Sequence, residues 1–152
     1  MIVIRKIEPA DYQKTGDMIK TTIKISFKKI QTESLINDFC RKYDLDNFTI
    51  RAQNIEMFIA TENDNIVGVI GIKENQLRTF YVHPDYQGKG VGSKLYKKFE
   101  EVARERGIKK VIVESSPLGL PIYEHFGFVK YGILNKERAG QKYVVVLLEK
   151  QL

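Results

Sequence analysis

Three glycines at alternate positions, Gly88, Gly90 and Gly92, stand where a β-like run gives way to a helical pattern, in Tyr81-Val-His-Pro-Asp-Tyr-Gln-Gly-Lys-Gly-Val-Gly-Ser-Lys-Leu95. Glycine at a helix start costs up to ~1 kcal/mol against alanine, so three together need a compensating gain. An anionic ligand supplies one. Residues without side chains let an extended ligand reach the backbone, and the unpaired amides of the first helical turn point at its charge. Lys89 and Lys94 add formal positive charge beside those amides. The plainer alternative is a tight strand-to-helix turn with no ligand.

Two familiar glycine loops fit less well. A dinucleotide fingerprint needs G-x-G-x-x-G, and counting from Gly88 the third glycine is replaced by Ser93. Glu114 falls about where a ribose-binding acid would stand, but the loop follows several strands and helices instead of opening a βαβ unit. The P-loop pattern fails, because no Gly-Lys-Ser/Thr ends a four-residue spacer. Cys40, His83 and His125 lack any common metal-ligand spacing, so no metal site is expected. Cys40 reads as an inert core thiol.

The elements that must position the loop follow from periodicity. Residues 2–7 read as a strand, then a helical stripe of Met18, Ile19, Thr22, Ile23 and Ile25 runs to about Lys29. Thr32 is a plausible N-cap for a second helix to about Tyr43, with Leu35, Ile36, Phe39 and Cys40 inward. Met57–Thr61 and Ile66–Ile72, joined by Glu62-Asn-Asp-Asn65, form a hairpin signal. Leu77–Val82 is a further strand, and helical periodicity runs from Gly92 to Gly107. Val111–Val113 reads as a buried strand and Pro117–Phe126 as a short helix. Two last strands, about 128–134 and 142–149, are joined by a turn from Asn135 to Gly140. The order β-α-α-β-β-β-α-β-α-β-β predicts an α/β (α+β) chain: one mixed sheet of about seven strands with about four helices packed on it.

The chain has 152 residues, 43% hydrophobic and 29% charged, and shows no repeat or linker, so a single domain over 1–152 is expected. No apolar run approaches the ~18–20 residues of a bilayer span. The start, Met1-Ile-Val-Ile-Arg-Lys-Ile7, is too short and charged for a signal peptide, and one cysteine builds no disulfide framework. A cytoplasmic protein is the expectation. The net charge of +6 favours anionic partners. Zinc-finger spacings, an RRM consensus and a long basic helix are absent, which leaves nucleic acid a minor alternative.

Gln87-Gly-Lys-Gly-Val-Gly92 resembles the Q/R-x-x-G-x-G/A signature of the Gcn5-related N-acetyltransferases. Phe80–Tyr86 is similar to that family's fourth strand and its exit, and Pro121-Ile-Tyr-Glu-His-Phe-Gly-Phe128 resembles its Y-E-x-x-G-F helix. The element order agrees with that family's topology over essentially the whole chain. The resemblance implies the acyl-CoA N-acyltransferase fold, with a mostly antiparallel sheet. It implies acetyl-CoA held between the fourth and fifth strands, its diphosphate on the amides of Gly88, Lys89, Gly90, Val91, Gly92 and Ser93, beside Gln87. The pantetheine arm would pair with Phe80, Tyr81 and Val82, and Ser116 would touch the cofactor.

The same resemblance implies direct attack of a primary amine on the acetyl group, with Tyr123 as general acid for the leaving thiolate. Some members carry a base glutamate eleven residues before the motif glutamine; here that position is Gln76, which cannot accept a proton. Glu74, His83 and Glu114 are the nearest alternatives, and a water relay with Glu114 is the expectation. Dimers are frequent in the family, and the edge strand near the carboxyl end is consistent with a homodimer. Two rivals stay open: a CoA-binding regulatory module without turnover, and a basic nucleic-acid-binding protein sharing the fold.

Overall fold

The computed structural model describes residues Met1–Leu152. Its β-strands are β1 (Val3–Lys6), β2 (Glu56–Glu62), β3 (Asn65–Lys73), β4 (Gln76–Val82), β5 (Lys110–Ser115), β6 (Val129–Arg138) and β7 (Gln141–Gln151). They form one sheet in the order β1-β2-β3-β4-β5-β7-β6. Every neighbouring pair is antiparallel except β4 with β5. The α-helices are α1 (Tyr12–Phe27), α2 (Glu33–Arg41), α3 (Leu45–Asn54), α4 (Val91–Glu105) and α5 (Leu120–His125).

Side-chain alternation along a strand explains why both faces of this sheet are covered. On β2, Met57 and Ile59 face α1, α2 and α3, where they pack with Ile19, Ile23 and Phe48. Phe58 and Ala60 face the other way, into a larger cluster built with Leu95, Phe99, Val102 and Ala103 of α4. The apolar stripe of α4 thus recurs at helical spacing against one face, as its sequence pattern requires. No helix of the molecule is long and apolar enough to cross a membrane.

The mixed seven-stranded sheet is as expected, and the differences are local. The segment 45–54, read as no element in the sequence, is the helix α3. Only Phe48 of it is buried, held edge-on to Tyr12 with ring centroids 5.7 Å apart, so tertiary contact stabilises a helix whose own pattern is weak. The last two strands are longer than expected, and their link is the two-residue turn Ala139-Gly140, with φ values of 51° and 73°. Such a turn matches the strand twist and lets pairing continue to Arg138↔Gln141.

Two irregularities position the site. Val69 pairs with Tyr81 but Gly71 with Arg78, so Thr79 and Phe80 together oppose Ile70 in a β-bulge. Thr79 takes φ of 57°, strained for a β-branched residue. Secondly, β4 and β5 pair in register only at Gln76↔Ile112. Beyond that point the two parallel strands diverge.

Candidate acetyl-CoA and acceptor site

The divergence of β4 from β5 opens a cleft of about 1610 Å³ through the middle of the sheet. At its closed end the Ile112 amide donates to the Asn75 carbonyl at 3.0 Å, and the Asn75 side-chain amide donates to the Lys110 carbonyl at 3.2 Å. From Leu77 to Val82 the edge of β4 facing β5 has no ladder partner, an exposed row of main-chain groups in the interior of a sheet. The bulge at Thr79 and Phe80 lies on this row, and both residues line the cleft.

The glycine loop closes the far end. Gly90 is the N-cap of α4, without side-chain capping, and the first intrahelical bond runs from the Lys94 amide to the Gly90 carbonyl at 3.1 Å. The amides of Val91, Gly92 and Ser93 therefore have no intrahelical acceptor, and the positive end of the helix dipole adds to their pull on an anion. Gly88 and Gly90 take φ of 75° and 84°, and a Cβ at either would meet no atom within 4 Å. The space in front of the loop is therefore open to a ligand's phosphates, so the loop fits the diphosphate of a CoA thioester.

Most of the residues singled out in the sequence line this cleft: Phe80, Tyr81, Val82, Gln87, Gly88 and Gly90 from β4 and its exit. Gly92 and Ser93 of α4 join them, as do Glu114 of β5, Ser116 just after it and Tyr123 of α5. Two do not. The Val91 side chain is buried in the core beneath α4. The Lys89 ammonium sits over the Tyr86 ring, 5.4 Å from its centroid, so these two residues offer the loop their main-chain amides. The Gln87 side chain donates to the Val82 carbonyl at 2.9 Å and ties the loop to the end of β4.

Tyr123 is buried against Phe80 and Phe128, with ring centroids 6.2 and 5.6 Å away, yet its hydroxyl has no hydrogen-bond partner within the protein. Burial raises the pKa of this phenol, so it remains protonated through the neutral range. Tyr81 is held differently: its hydroxyl meets that of Tyr43 at 3.2 Å, and burial followed by Tyr43 itself pushes its pKa well up. Glu114 is half exposed and faces the Lys136 ammonium at 3.6 Å. Gln76 accepts from Arg78 Nη1 at 3.4 Å. Burial also raises the pKa of the Cys40 thiol, in keeping with a core residue and not a thiolate nucleophile.

Sequence reasoning missed the other wall of the cleft. Lys42, Tyr43 and Arg51, contributed by the α2–α3 link and by α3, line it together with Arg78 of β4. The Arg51 guanidinium lies over the Tyr43 ring at 5.3 Å, and the Lys42 ammonium over Phe39 at 5.4 Å. Lys42 is lowered from 10.5 to about 8, first by burial and then by the charges of Arg138, Arg51 and Lys136. The signal for these residues was the unread helix α3, whose acidic first turn after Asp44 marks a start.

Residues 23–148 match the family described as acetyltransferase (GNAT) domain, and the chain belongs to that family. It is 27% identical over 127 residues to "Acetyltransferase Atu2258" of Agrobacterium fabrum, covering 80% of this chain and 91% of that one. A shorter stretch of 47 residues is 45% identical to a glucosamine 6-phosphate N-acetyltransferase of Trypanosoma brucei brucei, spanning 31% of this chain and 32% of that enzyme. The fold is shared with a Gcn5-related N-acetyltransferase structure from Rhodopseudomonas palustris, at TM-score 0.91 and 24% identity over 99% of this chain and 95% of that one. It is shared also with the PaiA N-acetyltransferase of Thermoplasma acidophilum, solved with coenzyme A, at TM-score 0.79 and 20% identity over 100% and 99% of the two chains.

Proposed function

We propose that this protein transfers an acetyl group from acetyl-CoA directly to a primary amine. The observation that carries the reading is the coincidence of two features in one cleft: the unpaired edge of β4 and the uncapped start of α4. An extended amide-bearing arm can pair with the first while phosphates rest on the second. When bound, acetyl-CoA supplies an activated acetyl thioester and a thiolate leaving group.

The residues of the chain divide the remaining tasks. Amides 88–93 hold the phosphates, and main-chain groups of Phe80, Tyr81 and Val82 orient the arm. Tyr123, protonated and without a protein partner, gives its hydroxyl proton to the departing sulfur. The acceptor enters from the side of Lys42, Arg51 and Arg78. Its excess proton leaves through water toward Glu114, which borders the same cleft and whose charge Lys136 balances.

Calorimetric titration with acetyl-CoA, with CoA and NADH as comparators, tests the cofactor half; selective binding of the two CoA compounds is expected. Release of CoA thiol over a panel of primary amines tests the transfer. Binding without release over a broad panel would favour a regulatory CoA-binding module instead.

A further inference from the structure

A second depression, of about 530 Å³, opens beside the acceptor wall and shares Lys42, Arg51 and Arg78 with the cleft. Its cationic lining is Arg41, Lys42, Arg51, Lys73, Arg78 and Arg138, and its sole acidic residue is Asp38. Asp38 is already shared, accepting from Arg41 Nη1 at 2.7 Å and facing Arg138 Nε at 3.0 Å. It leaves the other cations unbalanced.

The distribution of ion pairs over the molecule makes this excess informative. The chain has seven arginines, and Arg5, Arg41, Arg104, Arg106 and Arg138 each pair with a carboxylate. The two without a carboxylate partner, Arg51 and Arg78, both line this depression. Arg51 is held by the Tyr43 ring and Arg78 has only the Gln76 oxygen at 3.4 Å. The Nη1 of Arg138 is buried with no hydrogen-bond partner at all. Cations crowded together without counter-ions repel one another, and unpaired buried donors cost stability, so a ligand that supplies oxygens and negative charge is what the arrangement lacks.

We infer, resting on the acetyltransferase reading, that the acceptor is a primary amine that also bears a phosphate group, bound by Arg51, Arg78 and Lys42. A phosphate dianion matches a site with several forks and no competing carboxylate, because guanidinium groups take its oxygens two at a time. This site is distinct from the glycine loop. Arg78 precedes Val82 by four residues of β4, ~13 Å along the strand, and the loop lies farther on. Lys42, Arg51 and Arg78 line the same cleft as Tyr123, so an acceptor held there by its phosphate has its amine in the cleft that contains this phenol.

The test uses matched acceptors, O-phosphoethanolamine against ethanolamine and β-alanine, and glucosamine 6-phosphate against glucosamine, with CoA-thiol release as readout. Acetyl-CoA titration of the same protein comes first; failure there sinks the acetyltransferase reading, whatever the acceptor. With cofactor binding established, the phosphorylated member of each pair should have kcat/KM ~10–100-fold higher. Arg51→Gln with Arg78→Gln should remove that advantage by raising KM, while acetyl-CoA affinity stays at the wild-type value. With CoA saturating the glycine loop, inorganic phosphate should add thermal protection to the wild type and none to the double variant, and Lys42→Met gives a second variant if the first folds poorly. Equal rates within each pair, equal preference for the carboxylate amine, or an advantage that survives the double substitution would overturn the assignment.

Discussion

Tyr123 and Lys42 show how one cleft perturbs two side chains to different ends. Burial keeps the Tyr123 phenol protonated, which suits a proton donor at neutral pH. Tyr123→Phe should lower kcat by ~10²–10⁴-fold with acetyl-CoA affinity little changed, read by thiol release and calorimetry. Lys42 is destabilising where it stands. Folded, it is lowered to about 8; unfolded, it returns to 10.5, so the unfolded chain holds the extra proton between those values and stability rises with pH across that window. Below it the full penalty applies, set by burial and by Arg51, Arg138 and Lys136 against the single nearby carboxylate of Asp38. Lys42→Met should therefore gain ~1 kcal/mol at neutral pH, or ~2–4 °C in Tm for a chain of this size, checked by thermal melts. A residue kept at a cost to stability fits a binding role better than a structural one.

At the scale of elements, the loop before α4 combines a backbone requirement with a ligand requirement, and two substitutions separate them. Gly90 and Gly107 both take positive φ, at 84° and 71°, and both would project a Cβ into open space. Gly90→Glu places a carboxylate before the uncapped amides and should abolish acetyl-CoA binding. Gly107→Ala, equally strained but at the other end of α4, should lower Tm and leave that binding intact; calorimetry on the two variants separates strain from charge.

This loop was legible in the sequence because its chemistry is written in glycines, which report backbone conformation directly. The cationic wall of the cleft, proposed above for the acceptor, was not. Arg51 and Arg78 are ordinary surface letters until α3 and β4 bring them together, and α3 itself hides behind Thr49, Asn47 and Asn54, poor helix formers with one buried partner, Phe48. The bulge at Thr79 was equally hidden, since no residue type announces a strained φ at a threonine. β2 and β3, by contrast, were read to within a residue of their ends because two covered faces demand continuous apolar runs.

For the whole molecule, the divergence of β4 and β5 ties stability to cofactor. On the proposed reading acetyl-CoA fills the row of groups that the sheet leaves unpaired, and it should then raise Tm in a concentration-dependent way, by RT ln(1 + [L]/Kd) in free energy. Hydrogen exchange should slow at the amides of β4 and of the first turn of α4. It should change little in the β2–β3 hairpin, already paired along its length.

The single register pair Gln76↔Ile112 also means that the sheet has a seam between two antiparallel halves, the meander β1 to β4 and the three strands ordered β5-β7-β6. The polypeptide crosses from one to the other through α4 and the Gly107 turn, which is exposed and open. Apolar residues on both sides of that crossing, Leu95 and Phe99 before it, Val113 and Leu148 after it, belong to one cluster. A chain interrupted after Gly107 would thus yield two pieces with complementary greasy faces and little main-chain bonding between them. On the proposed reading acetyl-CoA bridges that seam, so the two pieces should reunite more readily in its presence, the behaviour of a two-fragment reporter for this cofactor.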